Sequence, residues 1–310
     1  MTAAVEHLVR IGDVEFACTD TGGSGRPLLL VHGFTGSRDD WADIVEPLSD
    51  RTGRVIACDL RGHGGSTNVG RRSAYEFPVL VADLLGWLDA LGVESCDAIG
   101  HSLGGLVLVR AAAQHPERFN SLVLMSTPAR PTVKNMSGLL DGGSLVERLG
   151  AMRFLVNLGF TNTLARVGGM RMLTPFFVRS ARVGPPSMRA SREAMGAEVF
   201  DERVRVKVRA MDAQAFVHIG EYLTRFPSMV DDLRTLTCPT MVMVGEEDTE
   251  FLLLAQEVLD ALLDGESDAT FVVVPSAAHS PQFENTKAWL EIVATHIESA
   301  RSATASGRDD

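Results

Sequence analysis

One serine in this chain has the neighbours a nucleophile needs. It stands in Gly100-His101-Ser102-Leu103-Gly104, followed by Gly105. A strand-like apolar run, Ser95–Gly100, precedes it, and a helical apolar pattern, Gly104–Gln114, follows. In that context a G-x-S-x-G segment makes a sharp strand-to-helix turn. The turn forces the serine into a strained backbone conformation, and the glycines on either side give the adjoining backbone room to come close. Ser102 Oγ then projects above the strand ends, over a helix amino terminus that favours negative charge.

A serine hydroxyl is a poor nucleophile until a base takes its proton and an acid orients that base. Chain order for such an elbow is nucleophile, acid, base. Of the eight histidines, His7 and His296 lie near the termini, His32 and His63 precede the serine, His115 ends a helix, and His218 lies in the helical middle of the chain. His101 adjoins Ser102, so its side chain should point elsewhere. That leaves His279, in a loop after the run Thr270–Val274, where open α/β sheets place their sites. Glu246, Glu247 and Asp248 compete for the acid after the run Pro239–Gly245. Three residues past the strand, Asp248 can turn back toward His279, which leaves both glutamates to solvent. Acyl transfer also needs N–H donors for a developing oxyanion. The amides of Leu103, directly after the nucleophile, and of Phe34, in the loop after PLLLVH, are the two expected.

Positioning these residues takes a sheet whose strands end on one side. His7–Ile11 and Val14–Thr19 read as a hairpin around Gly12-Asp13. Pro27–His32, Arg54–Asp59, Ser95–Gly100 and Ser121–Met125 are apolar runs of the kind buried on both faces. Helices are expected at Asp39–Leu48, Pro78–Leu91 and Gly104–Gln114, and this alternation predicts a parallel sheet covered on both faces. The rhythm breaks at Pro128-Ala129-Arg130-Pro131. From there to about Arg234, Gly142-Gly143, Gly168-Gly169 and Gly184-Pro185-Pro186 punctuate helical segments. Val204–Arg209 reads as helix despite its alternation. Strands resume with Pro239–Gly245 and Thr270–Val274, with helices near Phe251–Leu263 and from Asn285 to about Ser299, before a tail expected to fray. Residues 1–130 and 236–310 thus make one α/β core, and 131–235 a helical lid inserted into it.

Composition narrows the partners. The 310 residues carry 29 Lys/Arg against 40 Asp/Glu, a net charge of −11 that repels phosphate backbones and argues against nucleic acid. Residues 131–235 run the other way, with fifteen basic and ten acidic side chains, read first as a solvated helical surface. No apolar stretch is long enough to cross a membrane, and MTAAVEHLVR does not read as a secretion signal. Cys18, Cys58, Cys96 and Cys238 show no metal spacing, so they are expected as free thiols packed like small hydrophobes in a reducing cytoplasm.

HGFTGS (32–37), DLRGHGGS (59–66), GHSLGG (100–105), VGEED (244–248) and HSPQFE (279–284) occur in the order found in the α/β-hydrolase superfamily. Outside about 131–235 the chain resembles its capped, serine esterase-like members, the bacterial esterases and lipases of the G-H-S-L-G-G type. That resemblance implies an eight-stranded, mostly parallel sheet with helices on both faces and a helical cap after the sixth strand. It implies the triad Ser102, Asp248, His279 and no cofactor, while no clustered His, Cys and Asp with metal spacing suggests a metal. It also makes Arg61–Gly65 a structural loop near the cap, with His63 structural. Family members that eliminate pyruvate resemble one another in an arginine after the elbow glycines, where this chain has Leu106. Carbon–carbon bond hydrolases of diketones typically carry Asn where this chain has His101, and haloalkane dehalogenases carry aspartate in place of Ser102.

The best reading is therefore a cofactor-free serine hydrolase that cleaves small-molecule carboxylic esters through an acyl-enzyme on Ser102. Eight of the twelve Met and seven of the fourteen Phe fall within 131–235. Phe154, Phe160, Phe176, Phe177 and Phe216, with Met170, Met172 and Met211, are enough to line an apolar cover. Phe176, Phe177 and Phe216, beside Phe34 and Leu103, are the expected substrate contacts. Competing readings on the same fold are a carbon–carbon bond hydrolase, a pyruvate-eliminating lyase, a ligand-binding receptor with slow hydrolysis, and a cap that docks on lipid.

Overall fold

A computed structural model describes residues 4–131 and 159–306 of the chain. Phe154 and Gly142-Gly143 lie outside the described residues. Eight strands form one sheet in the order β1-β2-β4-β3-β5-β6-β7-β8. They are β1 Val5–Ile11, β2 Val14–Asp20, β3 Leu28–Val31, β4 Val55–Cys58, β5 Cys96–His101, β6 Phe119–Met125, β7 Thr240–Gly245 and β8 Ala269–Val274. The β1–β2 and β2–β4 pairings are antiparallel, and every later pairing is parallel. The result is the α/β-hydrolase fold, eight strands with helices on both faces.

The inner strands are apolar without a break because each face has its own core. Leu29 and Val31 of β3 point into one cluster, and Leu28 and Leu30 into the other. The same period of two divides Leu122 and Leu124 from Val123 and Met125 on β6. Helices α2 (Phe77–Ala90), α3 (Leu103–Gln114) and Thr249–Asp264 cover the first face; α1 (Val45–Thr52) and Thr286–Ser306 cover the second. Trp41 and Trp289 meet over that second face, ring centroids 6.1 Å apart. At the strand starts, buried Asp97 accepts from Ser121 Oγ at 2.7 Å and from Arg301 Nε at 2.8 Å, tying the last helix to β5.

Four expectations need correction. The helix expected over Asp39–Leu48 is two pieces, a 3-10 turn Arg38–Trp41 and α1. Pro47 explains the break, since its ring would clash with the carbonyl of Asp43 in a continuous helix, whereas in the first turn of α1 it is tolerated. β8 is an edge strand in which Val274 alone is fully buried. The last helix runs to Ser306, into the tail expected to fray. Cys18 and Cys58 are not free thiols. They stand opposite each other in the β2–β4 pairing and form a disulfide, which removes the footing for a reducing compartment. Cys96 and Cys238 remain free.

Between β6 and β7 the described chain is helical. After a helical stretch over 159–168 come Met170–Val183, Pro186–Met195, Ala197–Ala210, Ala213–Leu223 and Val230–Arg234. Val204–Arg209 lies within the third of these named helices, where Arg192 and Arg182 both bond Asp201 and brace it against its neighbours. Among the described residues, no helix is long and apolar enough to cross a membrane.

Candidate active site

The six parallel strands β3 to β8 bring six loops to one edge of the sheet, and backbone strain collects there. Among the described residues, five non-glycines have positive φ, and four lie just past strand ends: Thr35 (62°) after β3, Ser102 (50°) after β5, Ser126 (46°) after β6 and Ser276 (50°) after β8. Non-glycine residues held there cost on the order of 1–3 kcal/mol each and cluster at working sites. Ser102 is set between β5 and α3, its own N–H bonded to the Met125 carbonyl at 2.8 Å. The glycines around it are required by contact. A Cβ at Gly104 would lie 2.3 Å from the Val31 carbonyl oxygen, and one at Gly100 would lie 2.5 Å from the Gly105 nitrogen.

Asp248 and His279 meet across the ends of β7 and β8. His279 Nδ1 donates to Asp248 Oδ2 at 2.8 Å. That bond fixes the tautomer and leaves Nε2 as the basic nitrogen. Asp248 is mostly buried and His279 is 38% exposed, so the imidazole can be reached while its acid partner cannot. Phe251 packs on the His279 ring with centroids 4.4 Å apart. Among the described residues no hydrogen bond joins Ser102 Oγ to His279. What links the serine loop to the histidine loop is His101, whose Nε2 donates to the His279 carbonyl at 2.8 Å and whose ring lies 5.0 Å from the His279 ring. Among the described residues the His101 side chain makes no hydrogen bond to Ser102; it props the loop that carries His279. Burial holds His101 neutral, its pKa pushed down to about 3, helped by the nearby His279.

The amides of Phe34 and Leu103 donate to no described residue. Leu103 is the first residue of α3, where helical N–H groups lack a partner by construction of the helix. Loop 32–41 is pinned beneath. Leu60 N–H donates to His32 Nε2 at 2.9 Å, so His32 Nδ1 is the donor to the Gly33 carbonyl, also at 2.9 Å. Burial pushes the His32 pKa down to about 4 and that of the neighbouring His63 to about 3. His63 has a structural place, its Nδ1 bonded to the Arg61 carbonyl in a loop that also folds around buried Asp59.

The aromatic residues sort by position. The Phe34 ring stacks on Phe216 at 5.4 Å, and Phe177 meets Phe216 edge-on at 6.1 Å. Phe176 touches Phe177 but is 51% exposed, and Phe160 and Met172 are comparably exposed. Of the three expected contacts, Phe177 and Phe216 join the Phe34 cluster, whereas Phe176 stands at its outer edge. Phe177 also lines a cavity of about 180 Å³ with Thr35 and Ser280, the chain neighbours of Phe34 and His279.

Three groups escaped the sequence reading. Glu246 Oε2 accepts from Ser276 N–H and Glu247 Oε2 from Ser187 N–H, both at 2.9 Å, so neither glutamate is merely solvated. Glu284 accepts from the amide of Ala278, next to His279, and from Ser187 Oγ at 3.1 Å. Their signal was present in VGEED and HSPQFE, but Ser276 and Ser187, 30 to 97 positions away, are invisible as partners without the sheet. Among the described residues, no group of three or more His, Cys, Asp or Glu could hold a metal ion.

A strand-to-helix serine elbow, a carboxylate-bound histidine three strands away and an eight-stranded sheet define a hydrolase class. The family model for the alpha/beta hydrolase fold matches residues 26–286, and the chain belongs to that family. It is 35% identical to epoxide hydrolase A of Mycobacterium tuberculosis (strain ATCC 25618 / H37Rv) over 132 residues, 42% of this chain but only 41% of that protein's length. Against the 2-hydroxy-6-oxononadienedioate/2-hydroxy-6-oxononatrienedioate hydrolase of Cupriavidus pinatubonensis (strain JMP 134 / LMG 1197) it is 27% identical, with 92% of each chain covered. Among solved structures, a carboxylesterase study of Nitrososphaera gargenis provides a chain with TM-score 0.75 and 22% identity, covering 96% of this chain and all of that one. At that identity the likeness concerns the fold.

Proposed function

We propose that the protein is a cofactor-free serine hydrolase that cleaves carboxylic esters of small molecules. The observation that carries this reading is the pairing of Ser102, at φ 50°, with two unpartnered amides, Phe34 and Leu103, beside the Asp248–His279 bond. Ser102 Oγ attacks the ester carbonyl carbon while His279 Nε2 takes its proton. Asp248 holds the imidazole and stabilises the imidazolium. The tetrahedral oxyanion sits on the Phe34 and Leu103 amides, each worth roughly 3–4 kcal/mol of barrier in comparable sites. His279 then gives its proton to the leaving alkoxide, and water, activated by the same histidine, releases the acid from Ser102. The helices within 131–235 act as a cap, with Phe177 and Phe216 against Phe34 forming the apolar side of the acyl pocket.

The full-length Cupriavidus relative supports one second reading, hydrolysis of a carbon–carbon bond beside a carbonyl by the same residues. Turnover of p-nitrophenyl butanoate against that of a ring-cleavage diketone separates the two. The proposal expects ester turnover abolished by Ser102→Ala; diketone turnover without ester turnover would replace it.

A further inference from the structure

Two hollows lie side by side between the helix Ala197–Ala210 and the core. Asp40, Val204, Lys207 and Phe283 line both, so these four residues form the wall between them. The inner hollow is the cavity of about 180 Å³ that reaches Thr35 and Ser280, beside Phe34 and His279. The outer one is a groove of about 510 Å³ that opens past Val199 and Val206, both 54% exposed. Half of the wall, Val204 and Phe283, is apolar. The other half is an ion pair, Lys207 Nζ donating to Asp40 Oδ1 at 2.6 Å, with side chains 28% and 13% exposed.

The two partners are not held alike. Asp40 is anchored in the loop, its Oδ2 accepting from Ser37 N–H at 3.2 Å. Lys207 ends a flexible four-carbon stem and has Asp40 as its only hydrogen-bond partner among the described residues. A second bond, Arg203 to Asp43 at 2.8 Å, joins the same helix to the core outside this wall. Both partners are more than two-thirds buried, so moving Lys207 off Asp40 costs more than breaking a surface ion pair, whereas each newly buried methylene favours binding by about fourfold. An alkyl chain that fills the inner cavity can therefore displace the lysine only when several further methylenes are buried beyond it.

We propose that the Lys207–Asp40 pair is a gate in the acyl path, and that unbranched acyl chains of medium to long length pass it from the inner cavity into the outer groove. This rests on the esterase reading of Ser102. Lys207 is then a specificity-determining residue that sets where the chain-length profile stops rising.

The test is the ratio of kcat/KM for p-nitrophenyl dodecanoate to that for the butanoate, in wild type and four variants. Lys207→Ala and Lys207→Met open the wall and should raise the ratio by at least about tenfold, the gain from two methylenes. Val204→Trp plugs the wall from its apolar side and should lower the ratio by a similar factor. Asp43→Ala removes the outer tie alone and should leave it unchanged. A loss of folded protein lowers both rates together and does not move the ratio. The same proteins are titrated with a fluorescent dodecanoate, whose Kd should fall with Lys207→Ala and rise with Val204→Trp. Ratios and Kd values unchanged in all variants overturn the gate. Absence of butanoate turnover in the wild type overturns the esterase reading instead, and the titration still decides the gate.

Discussion

Ser102 takes a φ of 50° because the chain must reverse between β5 and α3 while Gly104 slides under the Val31 carbonyl. That requirement was legible in the G-x-S-x-G spacing. The bond from His279 to Asp248 gives a direct test of the proposed roles. Asp248→Asn keeps the shape but presents an amide where Nδ1–H needs an acceptor, and kcat on a p-nitrophenyl ester should drop about 10⁴-fold; a drop below tenfold contradicts the role. The buried histidines give a second prediction. His32, His63 and His101 titrate near 4, 3 and 3 in the fold but return to 6.5 when unfolded. Below pH 6.5 the unfolded chain therefore binds protons that the folded chain refuses, and stability falls as the pH is lowered toward 4. Each histidine contributes a loss of about 1.4 kcal/mol per pH unit in that window. Urea unfolding at pH 7.5 and 5.5 should show His63→Gln losing about 1.4 kcal/mol less than wild type over that interval. Equal losses in both proteins contradict it. What the sequence concealed at this scale is His101, because its bond to the His279 carbonyl spans 178 positions.

Strands and helices were read more easily than their pairings. The apolar runs of β3, β4, β5 and β7 stood out because burial on both faces removes alternation. Pro47 alone broke an expected helix, and β8 passed for a buried strand since Phe271–Val274 is apolar at a sheet edge. The Cys18–Cys58 disulfide could not be read, since it depends on β2 lying opposite β4 in one register. The elbow element yields its own prediction. Gly104→Ala drives a Cβ into two carbonyl oxygens of another strand, Val31 at 2.3 Å and His32 at 2.7 Å, neither of which can rotate away. The thermal midpoint should fall by several degrees, matching an overpacking cost of about 1–3 kcal/mol or more. A midpoint unchanged within a degree means that α3 does not press on β3 as described.

At the scale of the molecule, the division of labour follows charge and composition. The acidic majority of the chain builds the sheet and its helices, while the more basic stretch 131–235 holds eight of the twelve Met and half of the Phe. Its described helices cross the open edge of the sheet through Lys207 to Asp40, Arg203 to Asp43, and Ser187 to Glu247 and Glu284. If Phe177 and Phe216 form the apolar side of an acyl pocket, kcat/KM for p-nitrophenyl esters should rise from acetate toward chains of intermediate length, by about fourfold for each methylene buried. A profile falling steadily from acetate contradicts that pocket. The central claim, that Ser102 is the nucleophile, is tested most directly by covalent capture. A fluorophosphonate is incubated with wild type and with Ser102→Ala, and the adduct is mapped by peptide mass spectrometry as ester turnover is followed. The account predicts one phosphonyl group per chain on the peptide containing Ser102, loss of turnover in step with labelling, and no adduct in Ser102→Ala. An adduct on another residue, or full turnover by Ser102→Ala, would contradict it.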